Sequence, residues 1–503
     1  MKKKILYNVV SSLLLEIVTV ICSFILPRMI ISGFGSEYNG IVSSVTQFLS
    51  VITLLRGGVG GVTRAALYKP LSENNTDRIS AIIKSTERFM RQIAYVFVVF
   101  LLLFATCYPL LVSTEFEWFY TFSLVLILGI STISQYYFGI TYQFLLSADQ
   151  KSYVYYILQT IATILNTVFS VILINAGVEF RLVKLISAIV FAAIPLALYY
   201  YVHKRYVILK DIPRDDSCLE QRWDAFMHQV ASFVHTNTDL MLLTVFSNLY
   251  QVSVYNVYYM VVYGVKKFVT VFTSGIEATI GKMIATKDKQ LDSFLDIYEW
   301  GINLISTIAF ICTAILIVPF MNVYMNGVTD ANYLQPVLGL VLVLGAFLAC
   351  VRLPYQNIVE SAGHFKQTRR GAIIEASINI SFSIALVGSF GAVGVAMGTV
   401  FAIAFRTVQY ALYAYKHIVN RSRILLLKRV ITTFLNIVCV CVVYVLFDIN
   451  GILQRNATNY LMWFFEASVT FVIVALISLI VNIIPYRKEF AKTIKWLTKR
   501  TAM

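Results

Sequence analysis

The sequence is poor in charge. Asp, Glu, Lys and Arg make up 13% of its 503 residues, about half of the roughly 25% typical of soluble globular proteins, while 58% of the residues are hydrophobic. That balance excludes a disordered or collagenous chain and argues against a water-soluble globule. Histidine is scarce too, with five in all. His228 and His235, seven apart, share a helix face, but with no third ligand nearby they make a poor metal site. The seven cysteines include no C-x-x-C pair, and six of them (Cys22, Cys107, Cys312, Cys350, Cys439 and Cys441) lie inside apolar runs. They read as small packing residues, which excludes a disulfide scaffold. No D-x-D motif occurs and the outer loops are short, so neither an enzyme nor a resident cofactor or metal is expected.

What fills the chain instead is a series of apolar runs of about 20 residues, each long enough to cross the hydrocarbon of a bilayer. About fourteen candidate spans follow, near 5–31, 38–62, 92–112, 118–146, 153–175, 182–202, 224–247, 250–280, 296–325, 333–360, 371–389, 392–415, 430–447 and 459–483. The first follows Lys2, Lys3 and Lys4 but is too long for a signal peptide, carries Glu16 and lacks an A-x-A cleavage site. It is expected to be a retained helix. Basic residues favour the cytoplasmic side of a membrane protein. With the N-terminus inside, 32 of the 41 Lys and Arg fall in cytoplasmic segments and only Arg181, Lys184 and Arg455 on the opposite side. Both termini are therefore expected in the cytoplasm. The net charge of +15 is then a topology signal and a contact with anionic lipid heads; a nucleic-acid partner is not expected.

An internal repeat organises the spans. Leu165–Leu173 matches Ile378–Leu386 at an offset of 213, and Ala197–His203 matches Ala411–His417 at 214. Ser147-Ala148 and Ser361-Ala362 precede the two copies, also at 214. A unit of six spans gives parallel lobes related by an axis along the membrane normal, an arrangement of transporters that alternate access by rocking. The expected fold is an all-α polytopic membrane protein with two parallel six-helix lobes plus two C-terminal helices. Its divisions are an N-lobe at 1–206, a cytoplasmic linker at 207–222, a C-lobe at 223–420, and the last two helices with a basic tail at 421–503.

Ionisable groups inside spans are unfavourable and normally face a cavity or a partner. Glu16 and Arg28 fall in the first span, Arg56 in the second and Asp239 in the seventh. The eighth holds Lys266, Lys267 and Glu277; later spans add Arg352, Glu360, Glu375 and Arg406. Arg28 and Arg406, near span ends, either line a cavity or snorkel to the interface. Asn256, Tyr263, Lys267, Thr270, Ser274 and Glu277 recur at helical spacing on one face of the eighth span, a polar stripe unsuited to lipid. Ser43, Thr46, Ser50, Thr53, Gly57 and Gly61 share a side of the second span, either for close helix packing or for binding. The cationic groups point to an anionic cargo such as phosphate or pyrophosphate. Tyr255, Tyr258, Tyr259 and Tyr263 serve either as sugar-stacking faces or as packing and interfacial anchors.

The chain resembles the polysaccharide-export (Wzx-like) flippases, of the superfamily that also holds multidrug-and-toxin extrusion transporters and lipid II flippases. The resemblance is carried by Phe34-Gly35-Ser36-Glu37-Tyr38-Asn39-Gly40 entering the second span. It continues in the run from Leu54-Leu55-Arg56-Gly57-Gly58 to Leu67-Tyr68-Lys69-Pro70 leaving it. It implies a bacterial cytoplasmic-membrane flippase that moves an undecaprenyl-pyrophosphate-linked oligosaccharide to the outer leaflet. Such a protein works beside a polysaccharide polymerase and glycosyltransferases and is here expected to be a monomer. The expected substrate contacts are Lys267, Lys266, Arg56, Arg28, Tyr263 and Asn256. Glu16, Asp239 and Glu277 are the candidates to carry a coupling H+ or Na+. Arg56 stands where relatives commonly have an acidic residue. The rival readings are a cation-coupled multidrug exporter of the same fold and a membrane-embedded polymerase or transferase.

Overall fold

The computed structural model describes residues 2–56, 59–112, 116–209, 212–213, 215, 233, 237–273, 276–449, 459–487 and 489–490, and all regular structure among them is helical. Most of the expected linker, His228, His235 and the basic tail from 491 onward lie outside the described residues. The chain divides into two compact units, residues 1–256 and 257–503. The division falls inside a helix, downstream of the 207–222 segment. Eleven helices among the described residues are long and apolar enough to cross a membrane. The all-α polytopic fold holds.

The first unit contains α1 (Lys2–Phe34), α2 (Ser36–Leu49), α3 (Ile52–Leu55), α4 (Val59–Ser72), α5 (Thr76–Leu111), α6 (Trp118–Ala148), α7 (Tyr153–Asn175) and α8 (Phe180–Arg205). Helical residues 237–246, α9, and the first turns of α10 (Leu249–Val271) complete it. Gly35, at φ 106°, makes the turn between α1 and α2, a backbone state suited to glycine. Asn75 starts α5, its side chain accepting the Arg78 N–H at 3.0 Å, the standard way to satisfy an exposed helix end. Ile41, Val45, Phe97, Leu124 and Leu145 form a fully buried core. Buried hydroxyls and amides stitch the helices: Asn39 donates to Ser253 at 2.8 Å, and Tyr108 and Thr244 both donate to Ser44 at 2.8 Å.

The second span departs from expectation. Instead of one helix over 38–62, α2 gives way at Ser50 to the single turn of α3, and α4 resumes beyond Gly57 and Gly58 (outside the described residues) and runs on to Ser72. Ser, β-branched residues and paired glycines are weak helix formers, which accounts for a break there. Ser50, on the expected polar side, hydrogen-bonds Asn237 at 3.2 Å. Gly40 is approached so closely by the Leu249 backbone that a Cβ would overlap it. This end of α2 is a packing surface.

The second unit contains the rest of α10, then α11 (Ile276–Ala285), α12 (Leu291–Tyr324) and α13 (Pro336–Ser361), with α16 (Ile424–Ile449) and α17 (Tyr460–Ile483) at its C-terminal end. Between them the helical stretch Phe365–His417 is interrupted at Gly391, at φ 53° and ψ −129°. It is two crossings, α14 (365–390) and α15 (392–417). A Cβ on Gly394 would run into the Leu386 carbonyl and one on Gly398 into Ser383, so the limbs fold back antiparallel at close approach. Asn379, from one repeat copy, is buried on α14 and donates to Thr399 of α15 at 2.7 Å. Its counterpart Asn166 is likewise buried on α7 of the first unit.

Candidate functional site

The eighth span also breaks. Phe272 and Thr273 leave the helix, so Asn256, Tyr263, Lys267 and Thr270 share α10 whereas Glu277 lies exposed on α11. Ser274 is outside the described residues. The stripe is thus shorter than expected, and Glu277 belongs to a different helix. Along α10, Tyr255, Tyr258, Val262 and Val269 are buried, while Tyr263 is 42% exposed. Lys267 stands with Tyr263 on the open side, its Nζ 5.6 Å from the ring centroid. Lys266 follows the buried line instead, because neighbouring residues on a helix point about 100° apart. Its ammonium lies in electrostatic reach of Arg352 and Cys350. The two lysines, expected as one group, therefore do different things. Tyr258 is a packing residue, donating to the Tyr333 carbonyl at 2.7 Å.

Lys266 borders a buried charge network. Glu375 on α14 accepts from Arg352 of α13 at 2.8 Å and pairs with Arg406 of α15 at 3.4 Å. Arg406 further donates to the Thr368 carbonyl and the Tyr410 hydroxyl, both at 2.9 Å. Arg406 is 4% exposed; the alternative in which it snorkels to the interface does not apply.

In the first unit, Glu16 and Arg28 are part-buried on α1, and Arg56 follows α3 within electrostatic reach of Tyr136 and Tyr155. Asp239 on α9 accepts a 2.5 Å hydrogen bond from Tyr255. The residues expected at the site thus fall in two sets. Glu16, Arg28, Arg56, Asp239 and Asn256 belong to the first unit, and Tyr263, Lys266, Lys267 and Glu277 to the second.

Two features went unanticipated. Asp292, Asp296 and Glu299 line one face at the start of α12, where Arg421 engages all three and Arg429 joins Glu299. The Glu299 side chain is fully buried and also accepts from Tyr415 at 2.7 Å. The helical spacing of Asp292, Asp296 and Glu299 was the available signal, but their arginine partners lie more than a hundred residues away. The second is a cleft of about 820 Å³ between α12, α13, α16 and α17. Its wall is apolar, with Phe310, Ile315, Leu344, Phe347, Val440 and Val445 among its members and Glu466 the one charged residue on it among those described.

At the membrane surface, Asp149, between α6 and α7, binds Lys4 at 3.1 Å, Lys151 at 2.7 Å and the Tyr206 hydroxyl at 2.5 Å. Burial pushes its carboxyl up, but the hydrogen bonds from Lys151, Tyr206 and Lys4 outweigh this and hold its pKa below the ordinary carboxylate value. Burial, then the bond to Asp149 and its charge, push the Tyr206 hydroxyl up.

No family model and no curated protein matches the sequence. Solved structures do. The lipid II flippase MurJ in an inward closed conformation aligns with a TM-score of 0.72 at 14% identity, over 96% of this chain and 99% of that one. An inward-facing multidrug resistance MATE family transporter of the MOP superfamily aligns at 0.57 and 13% identity, over 83% and 95%. A mutant of the Vibrio cholerae MATE transporter VcmN gives 0.56 and 14%, over 84% and 98%. The fold is that of MurJ and the MATE transporters. The MATE structures leave uncovered a share of this chain about as long as the segment beyond His417, whereas the MurJ alignment spans nearly all of it.

Proposed function

We propose that the protein is a flippase of the bacterial cytoplasmic membrane that moves an undecaprenyl-pyrophosphate-linked oligosaccharide to the outer leaflet for surface polysaccharide assembly. It works by alternating access, as a monomer with both termini in the cytoplasm, beside a polysaccharide polymerase and glycosyltransferases. The observation that carries this reading is the apolar cleft of the second unit. A volume of about 820 Å³ walled by aliphatic and aromatic side chains suits a polyprenyl chain and serves no purpose for a water-soluble cation. It belongs to the same unit as Lys266 and Lys267, whose ammonium groups suit a pyrophosphate. Charge pairing supports the same choice. Glu375 and Glu299 are each held by two arginines, so they do not offer the acidic cavity a cationic drug requires. Arg56 and Arg28 assist Lys267, and Glu16 carries the coupling proton or sodium ion. MurJ, a neighbour whose name includes a lipid substrate, aligns over nearly the whole chain.

The test is Lys267→Ala in a host whose surface glycan depends on this chain. Surface glycan is lost while membrane abundance stays at the wild-type level, and Lys267→Arg retains part of it. Normal export by Lys267→Ala at wild-type abundance overturns the reading.

A further inference from the structure

The first unit holds a second cavity, of about 220 Å³, between α6, α7 and α8. Its chemistry is opposite to that of the cleft. Ser131, Gln135 and Gln143 reach it from α6, Tyr155 and Gln159 from α7, and Phe191 and Pro195 from α8. Three amides and two hydroxyls converge within spans where most side chains are aliphatic. No charged residue is among those lining it.

The backbone is built to present them. Residues 135–139 form a π-helical turn inside α6. In a regular α-helix, residues four apart drift around the axis by about 40° a step. The wider turn takes back part of that drift, so Ser131, Gln135, Gly139 and Gln143 all line one cavity. Across from it, a Cβ on Gly139 would lie 2.6 Å from the Pro195 Cβ, so only glycine lets the π turn meet α8 at Pro195. Pro195 has no N–H, and the Phe191 carbonyl therefore lacks its i+4 donor. Irregular backbone at membrane depth is tolerated where it is buried or lines a cavity, and here the π turn meets the helix ladder that Pro195 interrupts. The side chains of Gln135 and Gln159 make no hydrogen bond to another described residue, while the Tyr155 hydroxyl faces the Gln143 amide. Arg56, a candidate pyrophosphate contact, is in electrostatic reach of Tyr155.

We infer that this cavity is a subsite for one neutral sugar ring of the cargo, an inference that rests on the flippase reading above. Amides and hydroxyls both donate and accept, as a polyol requires, and Phe191 and Tyr155 give flat faces of the kind that line ligand pockets. The volume lies below the ~300–1,000 Å³ of drug-sized sites, which scales it to a single ring. A neutral wall leaves the anion to Arg56 and keeps the two recognition tasks apart.

The experiment uses the purified full chain in detergent, with thermal unfolding read against two probes: a panel of neutral methyl glycosides of hexoses and N-acetylhexosamines, and sodium pyrophosphate. At least one glycoside stabilises the wild type in a concentration-dependent way. The pair Gln135→Leu and Gln159→Leu weakens that response about tenfold or more, since each removes hydrogen bonds to the ring, and it leaves the pyrophosphate response intact. Arg56→Ala does the reverse. If no glycoside stabilises the wild type, or the paired variant responds as the wild type does, the cavity holds structural water and the subsite is refuted. Should the paired variant not fold, Gln159→Met alone is read by the same criteria. Failure of the flippase reading looks different: the wild type then lacks the pyrophosphate response.

Discussion

Both units bury hydroxyls and amides, but residues 257–503 also bury carboxylates paired with arginines, whereas the buried polar groups of residues 1–256 are mostly neutral. In the second unit, Glu299 and Glu375 each sit between two guanidinium groups, at most 11% of either carboxylate side chain exposed. In the first, Asn39, Ser44, Thr244 and Ser253 carry the inter-helix bonds. The two solutions fail differently. A neutral hydrogen bond contributes about 0.5–1.5 kcal/mol, while removing one partner of a buried ion pair costs about 3–5 kcal/mol, because the remaining charge is stranded. One unit is therefore brittle toward charge changes and the other tolerant of them.

The largest expected effect is in the brittle unit. Glu299→Gln removes the carboxylate paired with the buried Arg429, while Arg421 keeps Asp292 and Asp296; the loss is expected at about 3–5 kcal/mol, read as a fall in melting temperature and in membrane abundance. Replacing Glu299 and Arg429 together by methionine restores much of it, since an apolar pair carries no stranded charge. If Glu299→Gln unfolds like the wild type, the distinction between the units is wrong.

A steric change tests the tolerant unit next. Gly139→Ala places a Cβ 2.6 Å from Pro195 Cβ, an overpacking expected to cost about 1–3 kcal/mol; Pro195→Gly in the same chain, which removes that Cβ, relieves part of it. Unfolding of the paired variant no better than Gly139→Ala alone would show that Pro195 is not the obstacle.

The smallest effect is at the membrane surface. The Asp149 carboxyl has its pKa lowered in the fold, so it stabilises above its ordinary value and loses that contribution as pH falls through the lowered one. Asp149→Asn is expected to lower the melting temperature slightly at neutral pH and to converge with the wild type in acid. A gap between them that stays constant with pH would mean that the side chain acts through shape alone.

The sequence made the crossings legible because apolar runs and basic flanks are local signals. The breaks were not legible in the same way. A helix over 38–62 and another over 250–280 fit the hydropathy, but Ser50 and Thr273 sit where the backbone leaves the helix, and nothing in composition places that point to one residue. The helical face of Lys267 was readable from spacing, and the same spacing puts Lys266 on another side. Pairing was out of reach. Arg352 meets Glu375 across 23 residues and Arg429 meets Glu299 across 130, and only the folded bundle brings them together. The π turn in α6 has no signature in composition at all.

Gly391 has a practical consequence for anyone who places tags in this protein. Its backbone reverses the chain between α14 and α15 with Phe390 and Ala392 already helical on either side. That end of the hairpin offers a protease no extended strand to cut and an antibody no loop to grip. An epitope tag inserted at residue 391 would have to unwind a helix turn and separate limbs that touch through Gly394 and Gly398. Insertion scanning is therefore expected to score this site as intolerant, and reporters are better placed in the polar turn around Glu73 and Asn74, where the chain already bends in the open.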